Sequence, residues 1–472
     1  MKIQSINPAT EEVIGEVEVS EKKDVSKAVK SARKAFKNWK SVDISEKSEL
    51  IKNIAKLMKE RKKELSELIT KEMGKPIFES EGEIDETVGE IEWFANESKK
   101  YIEDDILDLG LPETNAKIVF EAIGVAGVIT PWNYPINNPM WKIIPALITG
   151  NTIVFKPSEL SSLCGKEIEN LIKDAGIPAG VFNIIYGDEA VGKHLVNSNV
   201  DMISLTGSSE TGKFVASKAG KKLKRTVLEL GGSDPFIVLE DAIFEQVVNG
   251  AVYGRLVNCG QVCTSAKRIF VAEKIFDEFV NQFVEKTKKL KVGNGLEPDT
   301  DIGPIISKEQ LEKVENQVKD AADKGAKILC GGKRPESLSK GYFYLPTVLI
   351  NVNNKMKVLK EEVFGPVAPI VKFKNIKEAI KLANKTKYGL GASIWTSDVN
   401  KGGDIARRLE CGMVWINDVG TPYPQCPWGG VKESGIGREL SKYGILDFVN
   451  IKSVITTTSK DRKRAWWLPY NK

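Results

Sequence analysis

Between Glu21 and Trp39 the apolar residues Val25, Ala28, Val29, Ala32, Ala35, Phe36 and Trp39 recur at helical spacing, with lysines between them, which predicts an amphipathic helix. Ser45 reads as the cap of a second helix, whose inner face would carry Leu50, Ile51, Ile54, Ala55 and Met58. A third helix is predicted over 82–101. At KIVFEAIGVAGVIT (117–130) the pattern changes to β-branched runs. Strands and helices alternate from there. NTIVFKPS reads as a strand, 161–175 as a helix and VFNIIYG as a strand. DMISLTGSS reads as a strand running into a turn, ETGKFVASKAG as a helix, and TVLELGGSDPFIVL as a strand broken at its Gly pair. A second series begins near 234, with helices near 275–290, 308–324 and 376–386 and strands at AKILCGG, GASIWTS and GMVWIND. Such alternation builds mostly parallel sheets with crossover helices, and two series predict two α/β domains.

The 472 residues suffice for two or three domains. Their 69 basic and 64 acidic side chains are interspersed, giving a net charge of only +5 and no one-sign block of the kind that binds nucleic acid. No apolar run nears the ~18–20 residues that span a bilayer, so no membrane segment is expected. The start, MKIQSINPATEEV, lacks the apolar core of a signal peptide. Six cysteines in so long a chain do not make a disulfide framework, so a reducing, cytoplasmic compartment is expected. One histidine, His194, leaves no set for a His-based zinc site and no nucleophile elbow beside it. No metal is expected.

VNCGQVCTSAKR (257–268) holds two thiols. Cys263 follows a turn and precedes a strand, which makes it accessible, but a free thiol with a pKa near ~8.5 needs help to react at neutral pH. With histidine absent, that help must come from backbone dipoles, a cationic ligand or a carboxylate. Glu229, at the end of a strand in VLELGGSDP, is a candidate base. Asn133, on the rigid loop TPWNYP, is a candidate oxyanion donor. LTGSSETG places Gly207, Ser208 and Gly212 where a strand turns into a helix, a setting that suits a pyrophosphate. FKPSE places Lys156, Ser158 and Glu159 at another strand end, where ribose hydroxyls are read. Each feature taken singly is as well explained by an ordinary turn or a solvated side chain.

Together, in the order PWNYP, KPSE, LTGSSETG, LELGG, GQVC, EEVFGPV and WGGVKESGIGRE, these segments resemble the aldehyde dehydrogenase superfamily over nearly the whole chain. The resemblance implies two Rossmann-like open parallel-sheet domains and a small β-ribbon oligomerisation element. An NAD(P)-binding domain would take 1–104, 123–230 and 433–448, and a catalytic domain 231–432. The arm and C-terminal tail would take 105–122 and 449–472; separately, because exposed paired tryptophans are costly, Trp466 and Trp467 are expected to pack on the protein surface. A homodimer or homotetramer is implied. Cys263 would attack the aldehyde, Asn133 and the Cys263 N–H would hold the oxyanion, and Glu229 would activate the hydrolytic water. Lys142 and Glu439 match positions that pass its proton to solvent. Lys156 and Glu159 would meet the adenosine ribose, Ser208 and its flanking glycines the pyrophosphate, Glu362 the nicotinamide ribose and Phe364 the ring. Thr130, Pro131, Trp132, Leu230 and Gly231 would line the same site. The cofactor implied is NAD, with NADP as the alternative, because Glu159 repels a 2′-phosphate.

The motifs look most like a subgroup assigned to succinate semialdehyde, a substrate whose carboxylate calls for an arginine. Yet the implied pocket positions are Tyr134, Trp141, Val257 and Trp428, which suit a moderately apolar aldehyde, and Arg255 is near only in sequence. A general aldehyde dehydrogenase is therefore kept as the second reading. A CoA-acylating enzyme is disfavoured by Glu229, and a silent NAD-binding protein by the intact Cys263. Cys259 reads as a small packing residue, or as a thiol that pairs reversibly with Cys263 on oxidation.

Overall fold

A computed structural model describes residues 1–111 and 113–458, so the tail that carries Trp466 and Trp467 lies outside the described residues. One open sheet has six strands, in the order Gly435–Ile436, Arg225–Glu229, Met202–Thr206, Val125–Ile129, Thr152–Lys156 and Phe182–Ile184. All run parallel except Gly435–Ile436, which lies antiparallel with Gly435 opposite Glu229. The central strands VAGVI, TIVFK and MISLT are buried almost throughout, as a sheet covered by helices on both faces requires.

The second sheet has seven strands, in the order Lys327–Cys330, Thr347–Ile350, Val367–Phe373, Arg268–Ala272, Pro235–Val238, Ser393–Trp395 and Trp415–Ile416. It is parallel apart from the edge strand Lys327–Cys330. The segment TVLELGGSDPFIVL, expected as one strand with a break, is two strands in two different sheets. Residues 230–234 are the crossing between them. An antiparallel ribbon of Asp105–Asp108, Thr114–Ala122 and Val449–Thr457 leaves Ile106, Ile451 and Ile455 exposed.

The first helix, Lys22–Trp39, buries Val25, Val29, Ala32 and Trp39 as the spacing predicts. The second, Ile44–Glu60, is capped by Asp43 and not by Ser45. The Asp43 carboxylate accepts the Ser45 N–H, and a carboxylate at that end also complements the helix dipole. The third starts earlier than expected, as Ile77–Glu97. Helices Lys62–Met73, Asn137–Ile148 and Phe244–Leu256 were not predicted. Every residue of Asn137–Ile148 is buried, so it has no polar face for a periodicity to reveal, and its two prolines read as breakers. Among the described residues no helix is long and apolar enough to cross a membrane.

Candidate active site

The crossing 230–234 puts the carboxyl end of one sheet against the amino end of the other. Glu229 closes its strand there, and Cys263 sits in the turn ahead of Arg268–Ala272. The Glu229 carboxyl neighbours the Cys263 thiol, and its Oε1 is buried with no hydrogen-bond partner among the described residues. Burial and the neighbouring Glu229 push that thiol well above its ordinary range, with Lys267 pulling the other way. Burial and Glu439 push the Glu229 carboxyl up to about 8, against Lys142. The thiol is therefore held protonated beside an acceptor that ionises only a little above neutrality. Lys142 Nζ pairs with Glu439 Oε1 at 2.7 Å and both are buried, so these two residues do meet, behind Glu229.

Asn133 is fixed from three sides. Its Nδ2 donates to Gln261 O at 3.0 Å, its Oδ1 accepts from Asn138 Nδ2 at 3.2 Å, and its carbonyl accepts from Asn258 Nδ2 at 2.9 Å. One of its two amide protons is thus engaged and the other is left for a ligand. Asn258 and Cys259 both adopt left-handed backbone, φ 53° and 55°, which folds the turn back under the nucleophile. Cys259 is packed among Leu256, Ile302 and Leu311, whereas Cys263 rests against the cluster of Trp141 and Trp428. Cys259 behaves as a small core residue.

A cavity of about 120 Å³ opens over Cys263, lined by Tyr134, Trp141, Trp428, Tyr253 and Glu86 among others. The two tryptophans meet edge to face at 5.1 Å, and Trp141 Nε1 donates to Glu90 Oε2 at 2.6 Å. Val257, expected in this wall, is not among the lining residues. It opens the turn after helix Phe244–Leu256, and Tyr253, about one turn earlier on that helix, takes its place. Arg255 points away from the cavity. Its guanidinium donates to Val367 O, Gly260 O, Val363 O, Gly365 O and Ser265 Oγ, and burial lowers its pKa to about 9.

Helix Ile77–Glu97 turns a ladder of acids toward this region: Glu79, Glu83, Glu86 and Glu90 share one face. Three of them are engaged. Glu79 accepts the Asn258 N–H, Glu83 pairs with Lys75 at 2.7 Å and accepts the N–H groups of Ile136 and Asn137, and Glu90 holds Trp141 and Asn137. Among the described residues Glu86 has no hydrogen-bond or ion-pair partner, and it lines the cavity. Burial and Glu83 raise its pKa to about 7.

On the other side a cleft of about 400 Å³ runs along the carboxyl ends of Val125–Ile129, Thr152–Lys156 and Met202–Thr206. Thr130, Pro131, Lys156, Ser158, Glu159 and Gly207 line it. Among the described residues the buried hydroxyls of Thr130 and Thr206 have no partner, as suits a surface that meets a polar ligand. Two expected contacts differ. The Ser208 hydroxyl accepts the Thr211 N–H at 3.1 Å as a helix cap, and Gly212 packs under Leu230, where a Cβ would lie 2.4 Å from the leucine methyls. Both Gly212 and Leu230 therefore support the cleft and do not line it. Nearer Cys263, Phe364 meets Trp132 edge to face at 5.5 Å. Glu362 accepts the Gly232 N–H at 3.0 Å, and a Cβ on Gly231 would stand 2.5 Å from Glu362 Oε2, so only glycine admits that carboxylate. Sequence reasoning missed Glu86, Glu90 and Tyr253, and also Lys267. The 4-3-4 spacing of the glutamates was a signal for a shared face but not for what that face meets.

A cleft along the carboxyl ends of one sheet and a buried carboxyl beside a thiol meet at the seam of the two sheets. The comparisons with known proteins name the group: the chain belongs to the aldehyde dehydrogenase family, whose sequence profile matches residues 1–454, and acts on the aldehyde group of its donors. It is 41% identical over 459 residues to the betaine aldehyde dehydrogenase of Bacillus subtilis (strain 168), covering 96% of this chain and 94% of that protein. It is 38% identical over 480 residues to aminoaldehyde dehydrogenase 1, peroxisomal, of Pisum sativum, covering 100% of this chain and 95% of that one. The crystal structure of Staphylococcus aureus betaine aldehyde dehydrogenase in complex with NAD+ superposes with a TM-score of 0.95 at 38% identity, covering 99% and 93% of the two chains.

Proposed function

We propose that this enzyme oxidises cationic aldehydes, those that carry an amino or ammonium group, to carboxylates with NAD as hydride acceptor. The observation that carries the substrate class is Glu86. Among the described residues it is an unpartnered acid on the wall of a cavity that also presents the rings of Tyr134, Trp141, Tyr253 and Trp428, and ring faces attract a cation. Succinate semialdehyde, favoured by the motifs alone, fits less well, since its carboxylate would meet Glu86 while Arg255 is buried elsewhere. The names of the Bacillus and Pisum relatives support the cationic class.

In this reading Glu229 draws the proton from Cys263 as the sulfur adds to the aldehyde carbon. The Cys263 N–H and Asn133 Nδ2 hold the resulting oxyanion of the thiohemiacetal. Lys156, Glu159 and Glu362 would hold NAD, which would accept the hydride from the C–H bond of the adduct's carbon and so leave a thioester. Once that first proton has left Glu229, the carboxylate takes a proton from water, the hydroxide attacks the thioester carbonyl, the C–S bond breaks, and the acid formed gives its proton to the sulfur and leaves as carboxylate. Lys142 and Glu439 offer the exit for the proton on Glu229.

The test is a comparison of initial rates with 3-aminopropanal, betaine aldehyde, butanal and succinate semialdehyde. The two cationic substrates are expected to show the higher kcat/KM. In Glu86→Gln, their KM should rise at least about tenfold, the value of one charge-assisted contact, with butanal unaffected. Because Glu86 is ionised only above about pH 7, the KM of cationic substrates should also fall as the pH is raised from 6 to 8. Equal kcat/KM for butanal and 3-aminopropanal at pH 8 would defeat the proposal.

For the cofactor, Glu159 stands at the cleft with Lys156 Nζ at 3.5 Å. NAD is expected to exceed NADP in kcat/KM by at least about tenfold, or ~1.4 kcal/mol. Glu159→Gln should narrow that ratio, and steady-state kinetics with both cofactors measures it. The exposed isoleucines of the ribbon support assembly into dimers or tetramers.

A further inference from the structure

Lys267 follows Cys263 by four residues, is 1% exposed and has no part in the steps above. Its ammonium donates to Val262 O at 2.6 Å and to Cys263 O at 2.5 Å, and pairs with Glu362 Oε1 at 3.3 Å. Three protons meet three acceptors, the condition under which a cation tolerates such burial.

The carbonyl of Val262 belongs to the same peptide unit as the N–H of Cys263. A trans peptide is planar, with its C=O and N–H pointing in opposite directions. A grip on Val262 O therefore sets the direction of the Cys263 N–H, and the grip on Cys263 O sets the next peptide plane. The nucleophile's backbone is held on both sides by one ammonium. Drawing electron density toward the carbonyl also makes the amide a stronger donor, since linked hydrogen bonds polarise one another. Among the described residues that N–H has no protein acceptor, so it is left for a ligand. The third partner, Glu362, is fixed in turn by the Gly232 N–H at 3.0 Å.

We propose that Lys267 is the positioning residue of the oxyanion site: it aims and polarises the Cys263 N–H, and through Glu362 it ties that aim to the seating of the cofactor. This rests on the reading of Cys263 as the nucleophile. The step it serves is the addition of sulfur to the carbonyl, in which the C=O π pair becomes the oxyanion lone pair that the N–H receives.

Lys267→Met and Lys267→Gln should be compared with the parent in kcat, in both KM values, and in the pH dependence of Cys263 alkylation by iodoacetamide, read by mass spectrometry. The expected result is a kcat about 10²-fold lower with the KM for aldehyde little changed, as for the loss of one oxyanion donor. A raised KM for NAD and an alkylation midpoint moved to higher pH are expected alongside. Lys267→Arg should restore the midpoint, because the charge is kept, but not kcat, because its planar fork donates in other directions. A folded Lys267→Met enzyme with the parent's kcat overturns the proposal, and so does an unmoved alkylation midpoint. If the methionine variant does not fold, the glutamine variant is judged by the same two criteria. Cys263→Ala separates the two levels: if it still oxidises aldehyde, the nucleophile reading falls. If it is inactive while the Lys267 variants match the parent, only the present inference falls.

Discussion

Cys263→Ala is expected to lower steady-state NADH formation by a factor on the order of 10⁴–10⁶, the scale seen when a covalent nucleophile is removed. The affinity for NAD, measured by quenching of tryptophan fluorescence, should be unchanged, because the cleft along the first sheet does not use the thiol. The size of the effect follows from the surroundings. The thiol is protonated at rest, and the group positioned to accept its proton is Glu229. No second nucleophile stands ready, since Cys259 is packed in a different core and, besides the Glu86 carboxyl, the side chains with exchangeable protons described in the cavity wall are hydroxyls, amides and indoles. A variant retaining more than about a hundredth of the parent rate would contradict the assignment of the nucleophile.

Glu229→Gln should separate oxidation from hydrolysis. Water attack on the thioester loses its base, a loss of about 10²–10⁴-fold. The first turnover needs only one proton acceptor for the thiol, and at high pH hydroxide can serve. Rapid mixing at pH 9 is therefore expected to show a stoichiometric burst of NADH followed by a slow steady rate, with an acyl adduct on Cys263 visible by intact-mass spectrometry. In the parent, the base form of Glu229 appears as the pH rises through about 8, so kcat should climb across that region and flatten above it. Linear NADH formation without a burst in the glutamine variant would place the slow step elsewhere.

Much of this chemistry was legible in the chain because it sits at breaks in the pattern. Cys263, Glu229 and Asn133 lie where strands meet Gly pairs, Gly turns or prolines, and those punctuations survive without coordinates. The two α/β series were equally plain, since a period near 3.6 alternated with apolar runs. What stayed hidden depends on facing. Helix Ile77–Glu97 carries so many acids that periodicity cannot say which one reaches a cavity, and Glu86 emerges only once Glu79, Glu83 and Glu90 are seen to be engaged. Arg255 is near the nucleophile in sequence, but the fold turns its guanidinium into a nest of carbonyls, and with it goes the case for a carboxylate substrate. Val257 failed for a similar reason: a step of four residues along a helix that was not predicted moves the wall to Tyr253. Lys267 looked like one more lysine ahead of a strand until its side chain was seen curled back onto the turn it follows.

The fully buried helix Asn137–Ile148 carries Trp141 and Lys142 side by side, one lining the cavity over Cys263 and the next gripping Glu439. A rod without a solvent face cannot roll to suit one neighbour alone. Widening the chamber by trimming the indole would let the rod settle and drag the ammonium with it. Engineers who reshape this enzyme for bulkier guests should then find the deficit in the release of acid product, and not in how well the guest is held.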